Sequence, residues 1–390
     1  MAKASRSDRL LYGALFLNFL LIGLGMTIIG SVLPKLIREF SWSYTATGFV
    51  LAAGSIGYFI ASFVSGLLIQ RIDARRLIVV GLILQTVCLF LFARFKSPAI
   101  NFLFNFFIGI GQGCAEVFTN YTVIRLEEDG SSRKMNLMHA AFGIGAVTGP
   151  FITSSLISLN LGWKNIFLVT GVSYLIMAGI FLFVPFPERS TVSSGEVKST
   201  YRGRVGILAL FILSIFFYVG TELGISNWVS EFFVVLFSFE AGRAASMVSV
   251  LWLGILSGRL FFSFVYRKGN QSSIPLVLSC MSFTAIMLLL LSRNRALAIA
   301  SVYLIGLGFS SVYPLTMTLV GKFFTNGSAV GFVATAGGVG SFSFPFLIAY
   351  VSDRVGIQGG FVMFLCMNGL LVIVESVLFF RLKKLSPKSA

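Results

Sequence analysis

Gly145-Ala-Val-Thr-Gly-Pro150-Phe151 recurs as Gly340-Ser-Phe-Ser-Phe-Pro345-Phe346, an offset of 195, and this recurrence decides the fold. The same register holds elsewhere in the chain. Gly162…Phe167 returns as Gly356…Phe361 at an offset of 194. Gly109-Ile-Gly111 returns as Gly306-Leu-Gly308 at 197, and Arg71 as Arg267 at 196. Matches that keep step over this distance are the mark of a duplicated unit. Each matched motif but the arginine one lies in or beside a long apolar run. The chain is therefore two parallel repeats of a helical membrane unit.

Composition agrees. Of 390 residues 56% are apolar and 11% charged, against about 25% charged in a soluble protein. Twelve apolar runs of about 20 residues, each enough to cross a bilayer, extend from Leu11–Leu33 to Gly359–Phe380. The polar segment Pro185 to Arg204 separates the sixth from the seventh. The expected organisation is an all-α polytopic protein of twelve transmembrane helices. A six-helix half spans residues 1–187, a cytoplasmic linker 188–204, and a second six-helix half 205–390. The net charge of +16 belongs to cytoplasmic connections and not to a nucleic-acid face. Placing both termini in the cytoplasm puts 20 of the 30 Lys and Arg on that side and nine on the other, as the positive-inside rule requires. An inner-membrane location follows. The polar start MAKASRSDR leads into a run too long for a signal peptide, so that run is expected to be the first span. Four scattered cysteines and one histidine make neither a metal site nor a disulfide framework, and no cofactor motif occurs.

Polar residues inside the spans carry the functional reading. In Gly109–Arg125, GIGQGCAEVFTNYTVIR, residues Gly109, Gln112, Gly113, Glu116 and Asn120 share one helical stripe. An acid within a bilayer faces a partner or a pathway. Glu116 is thus either a structural contact between helices or a proton- or substrate-binding group. On the repeat offset of 197, Glu116 answers to Tyr313 in SSVYPL. In the seventh span Tyr218-Val-Gly-Thr-Glu222-Leu-Gly-Ile-Ser-Asn227-Trp228 sets an acid, a phenol, an amide and an indole among glycines. Trp228 by itself also suits an interfacial anchor. Arg259, in Trp252-Leu-Gly-Ile-Leu-Ser-Gly-Arg259, either snorkels to the surface or pairs with a carboxylate. His139, near the cytoplasmic end of the fifth span, reads alone as a packing histidine.

Five stretches, with Gly66 to Arg76, resemble known transporters. Gly66-Leu-Leu-Ile-Gln-Arg71-Ile-Asp73-Ala-Arg75-Arg76 resembles the loop signature of the major facilitator superfamily, with Gln70 where an acid usually stands. There Arg71, Arg75 and Arg76 act either as conformational locks or as positive-inside anchors. Glu116 with Asn120, Asn136-Leu-x-His139…Phe142-Gly-x-Gly145-Ala…Gly149-Pro150, Tyr218-x-Gly-x-Glu222…Trp228, Trp252…Gly258-Arg259 and Tyr313-Pro314 resemble the fucose–galactose–gluconate–proton symporter branch, with the sodium–glucose-transporter-like proteins beside it. One departure is Met26 to Pro34, MTIIGSVLP, which lacks the acid that branch carries there.

The resemblance implies a transporter, not an enzyme, that moves a monosaccharide by alternating access. Glu116 is the implied coupling acid, for protons or else sodium. Gln112, Asn120, Tyr218, Glu222, Asn227, Trp228 and Tyr313 are expected to bind the solute. Arg71, Arg75, Arg76, His139 and Arg259 are expected to serve conformation. The partners expected are a small hydroxylated solute, a proton and the lipid bilayer, the chain acting as a monomer without metal or cofactor. A proton-driven exporter of hydrophobic compounds is the alternative, which 42 phenylalanines leave open.

Overall fold

The computed structural model describes residues 6–68, 71–126, 133–186, 205–264, 273–324 and 327–385. They are helical, with no strand among them. In order the helices are α1 (Arg6–Phe40), α2 (Tyr44–Leu68), α3 (Ala74–Leu91), α4 (Pro98–Leu126), α5 (Arg133–Ser158) and α6 (Asn165–Phe183). There follow α7 (Val205–Phe237), α8 (Ala241–Phe264), α9 (Ile274–Leu291), α10 (Arg295–Phe309), α11 (Val312–Phe323) and α12 (Gly327–Leu385). A bilayer offers no water to unpaired backbone groups, so the apolar runs take the one form that satisfies them internally.

Two spans depart from simple rods. The tenth run, Ala296–Val320 by sequence, is broken at Ser310 and Ser311 into α10 and α11. The eleventh and twelfth runs form the continuous α12, whose interior Gly356 is non-helical at φ 77°. That left-handed conformation is open to glycine, and it turns the chain between the two spans. Among the described residues this makes twelve segments long enough to be spans.

Two compact units divide the chain. The first comprises Met1–Ser193 with Glu240–Ser249, and the second Ser194–Phe239 with Val250–Ala390. The start of α8 belongs to the first unit, where the Ser249 hydroxyl donates to the Val147 carbonyl at 2.7 Å. The expected linker, 188–204, lies outside the described residues, as do Gln70 and Arg267.

The duplication extends from sequence to contact. A β-carbon on Gly109 would lie 2.0 Å from the Gly54 carbonyl oxygen and 2.8 Å from the Tyr58 nitrogen. One on Gly306 would lie 2.0 Å from the Leu251 oxygen and 3.1 Å from the Ile255 nitrogen. All three positions move by 197. Gly145 likewise meets the Leu20 oxygen and Leu24 nitrogen at 1.8 and 2.9 Å, and Gly340 the Phe216 oxygen and Gly220 nitrogen at 2.4 and 3.2 Å. The repeated glycines are the points where helix backbones touch, and small residues permit that approach.

In the loop signature Asp73 caps α3 by accepting from the Arg76 backbone N–H at 3.1 Å. Arg75 donates to the Val184 carbonyl at 3.0 Å and stacks over Phe186, fastening the start of α3 to the end of α6. Arg71 and Arg76 are exposed.

Candidate functional site

In the first unit α1, α2 and α4 bring polar groups together. Gln112, Glu116 and Asn120 are half-buried on α4. Tyr58 of α2 donates to Glu116 Oε1 at 3.1 Å. Fully buried Asn18 of α1 donates to the Thr119 hydroxyl at 2.9 Å. The side-chain oxygens of Asn18 and Asn120 are buried without a hydrogen-bond partner. A buried acceptor left unmatched costs about 1–3 kcal/mol, so these two mark places where a solute hydroxyl or water would be welcome. Among the described residues no cation bears on Glu116. His139 is exposed on α5, its ring edge-on to Phe19 at 5.2 Å.

The second unit builds its cluster on the broken tenth span. The Tyr218 hydroxyl lies 2.8 Å from Glu222 Oε1 and 2.9 Å from the Phe309 carbonyl oxygen. Arg259 donates through Nε to the Ser310 carbonyl at 3.1 Å. Its guanidinium also reaches the Tyr218 hydroxyl and bears electrostatically on Glu222. Carbonyls that the break frees from the helix are thus taken up by Tyr218 and Arg259, as buried backbone acceptors must be. Tyr313, half-buried at the start of α11, has its ring 6.4 Å from that of Tyr218. Glu222 is 7% exposed and Tyr218 1%.

Arg259 and Trp228 are both engaged within the second unit. The Ser310 carbonyl and the Tyr218 hydroxyl hold Arg259 within the second unit, with the Glu222 carboxyl near enough to feel its charge. Trp228 packs inside the second unit. It is fully buried, and its indole N–H donates to the Pro345 carbonyl at 3.2 Å, the partner a buried indole requires. Asn227, its neighbour, is half-buried. Asn18, Tyr58, Thr119 and Glu375 were not singled out by sequence. The first three are lone polar residues whose periodicity points nowhere, but Glu375, an acid amid VIVESVLFF, carried a signal as plain as that of Glu116. Among the described residues no three His, Cys, Asp or Glu side chains converge to hold a metal.

The Major Facilitator Superfamily model matches residues 15–345. The chain belongs to that superfamily. Among its relatives are the protein TsgA homologs of Buchnera aphidicola and Edwardsiella ictaluri. The first is 22% identical, covering 95% of this chain and 96% of its own. The second is 24% identical, covering 84% of each. Among solved structures it resembles a bacterial homolog of the human lysosomal transporter Spinster, at TM-score 0.79 and 14% identity over 100% of both chains. It also resembles the nucleoside transporter NupG, at TM-score 0.79 and 15% identity over 96% of this chain and 100% of that one. This superfamily member is a multi-pass secondary transporter.

Proposed function

We propose that the transporter carries a small hydroxylated solute, a monosaccharide, by alternating access coupled to protons through Glu116. The observation that carries this reading is the pairing of Glu116 with a neutral phenol and, among the described residues, with no cation. A carboxylate in apolar surroundings is costly unless a positive charge or several donors offset it. Glu116 therefore exchanges a proton as its surroundings alternate between wet and dry. Tyr58 stays within reach in both states, accepting from the acid or donating to its anion. Sodium in place of the proton would need further oxygen ligands around the same carboxylate.

Solute recognition falls to Gln112 and Asn120 on α4, and to Tyr218, Glu222, Asn227 and Tyr313 in the second unit. The unmatched oxygens of Asn18 and Asn120 accept from hydroxyls, and Tyr218 and Arg259 hold Glu222 where it can accept others. A site built from such groups rejects a ligand that lacks hydroxyls, because its own groups would then stay unpaired. Arg71, Arg75, Arg76 and His139 serve conformation at the helix ends, and the protein acts as a monomer in the inner membrane. The two halves are 1–187 and 205–390, joined by a cytoplasmic linker.

Uptake of a panel of monosaccharides into proteoliposomes, with and without an imposed pH gradient, tests this function. Accumulation of one sugar that follows the gradient is expected. If no sugar is taken up while lipophilic cations are expelled, the exporter takes its place. Orientation has its own test. Ser194→Cys should stay unlabelled by an impermeant maleimide in intact cells and label after permeabilisation; ready labelling of intact cells overturns the cytoplasmic placement.

A further inference from the structure

α12 carries an acid that the proposed transport reading does not use. Glu375 is 1% exposed, and its Oε1 accepts a hydrogen bond from the Ser214 hydroxyl of α7. Along α7, Ser214, Tyr218 and Glu222 follow at four-residue spacing and are all buried. Such spacing keeps neighbours close on a helix. Glu375 therefore meets α7 two turns nearer Val205 than Glu222 does. Leu378, three residues further along α12, belongs to an apolar cluster with Phe211, Ile215, Leu319 and Val320. The Tyr313 phenol packs against this cluster and is the titratable group there. Among the described residues no charged side chain from α7, α9, α11 or α12 bears on Glu375.

Comparison of the halves shows what this arrangement displaces. At the repeat offsets Ser214 answers to Asn18 (196) and Thr316 to Thr119 (197). Asn18 bonds Thr119 in the first unit. In the second, Ser214 turns to Glu375, and the Thr316 hydroxyl is buried with no hydrogen-bond partner. Glu375 itself answers to Phe181 at the offset of 194 that relates Phe167 to Phe361. Phe181 is fully buried. Where one half keeps an apolar side chain, the other has an acid, and a helix contact is given up beside it. Packing alone asks for neither change.

We infer that Glu375 is a second proton-binding carboxyl of this transporter, held by Ser214 at the α7–α12 contact. The inference rests on that contact and not on the identity of the solute. In the closed contact the neutral acid is the form its apolar surroundings admit. Its proton leaves when the O–H bond breaks toward a water molecule, and water reaches Glu375 only when α7 and α12 part. Exchange of this proton is thereby tied to movement of those two helices.

Infrared difference spectra of the full-length protein in phosphatidylethanolamine–phosphatidylglycerol vesicles, taken as the pH is raised, test this directly. The protonated-carboxyl stretch should lose one component in Glu375→Gln and a different one in Glu116→Gln. Each component should fall roughly tenfold per pH unit beyond its midpoint, as a titrating acid does. Ser214→Ala should move the midpoint of the Glu375 component and leave that of Glu116 in place. A parent spectrum that Glu375→Gln leaves unchanged across the whole range overturns the inference, whatever the Glu116 arm shows. Should Glu375→Gln fail to fold, Ser214→Ala decides alone: no displaced component means no second proton site.

Discussion

Each unit sets a glutamate against a tyrosine, yet the two acids live differently. In the first, Glu116 meets Tyr58 across helices, and among the described residues no cation bears on it. In the second, Glu222 meets Tyr218 one turn away on its own helix, with the Arg259 guanidinium close by. An acid facing only a neutral donor changes charge readily when water arrives or leaves. An acid near a guanidinium has a positive partner that offsets part of the cost of its burial. Under the proposed function the difference assigns coupling to Glu116 in the first half and solute recognition to Glu222 in the second, within a structure that began as a duplication.

The sharpest way to break this contrast is Glu116→Gln. A neutral amide imitates the protonated acid, so accumulation driven by a pH gradient should vanish while counterflow exchange of the same sugar persists. Accumulation at the parent level would make Glu116 a structural contact. Next in size is Arg259→Met, which leaves Glu222 buried beside no cation and frees the Ser310 carbonyl. A loss of about 1–3 kcal/mol in stability is expected, the cost of the unsatisfied Ser310 carbonyl, read as a lower midpoint of thermal unfolding in detergent. Adding Glu222→Gln should restore part of the loss; if it restores nothing, the two side chains are not a pair. Glu222→Ala should weaken sugar binding by about 1–3 kcal/mol, the cost of an unsatisfied buried partner, measured by calorimetry. Undiminished affinity would remove Glu222 from the solute site. The smallest effect belongs to Trp228→Phe, which keeps the ring and deletes the N–H given to Pro345. Stability should fall by about 1 kcal/mol with sugar affinity unchanged, whereas a lost affinity would return Trp228 to the binding site.

Much of the architecture is legible in the sequence, since a glycine at a backbone contact cannot change without collision. Gly109 with Gly306 and Gly145 with Gly340 therefore keep the duplication visible. The α4 stripe is legible for a related reason, because spacing along one helix determines which residues share its face. What spacing does not contain is the identity of the neighbour across the gap. Tyr58 and Asn18 are single polar residues in apolar helices, and only folding sets them against Glu116 and Thr119. Trp228 reads as anchor or stacking surface, and nothing in its spacing announces the Pro345 carbonyl beside it. The break before Tyr313 is foreshadowed by Ser-Ser followed by Pro314, yet the capture of its carbonyls by Tyr218 and Arg259 is a tertiary fact.

That break also governs where the tenth span is stiff. A helix resists bending through the bonds each carbonyl makes one turn ahead along its own chain. At Phe309 and Ser310 this duty passes to side chains of α7 and α8, which can swing with their own helices. Bending is therefore easy at one level of the span and hard on either side of it. The two segments, Arg295–Phe309 and Val312–Phe323, are thus separate rods meeting at a joint whose carbonyls are held by Tyr218 and Arg259.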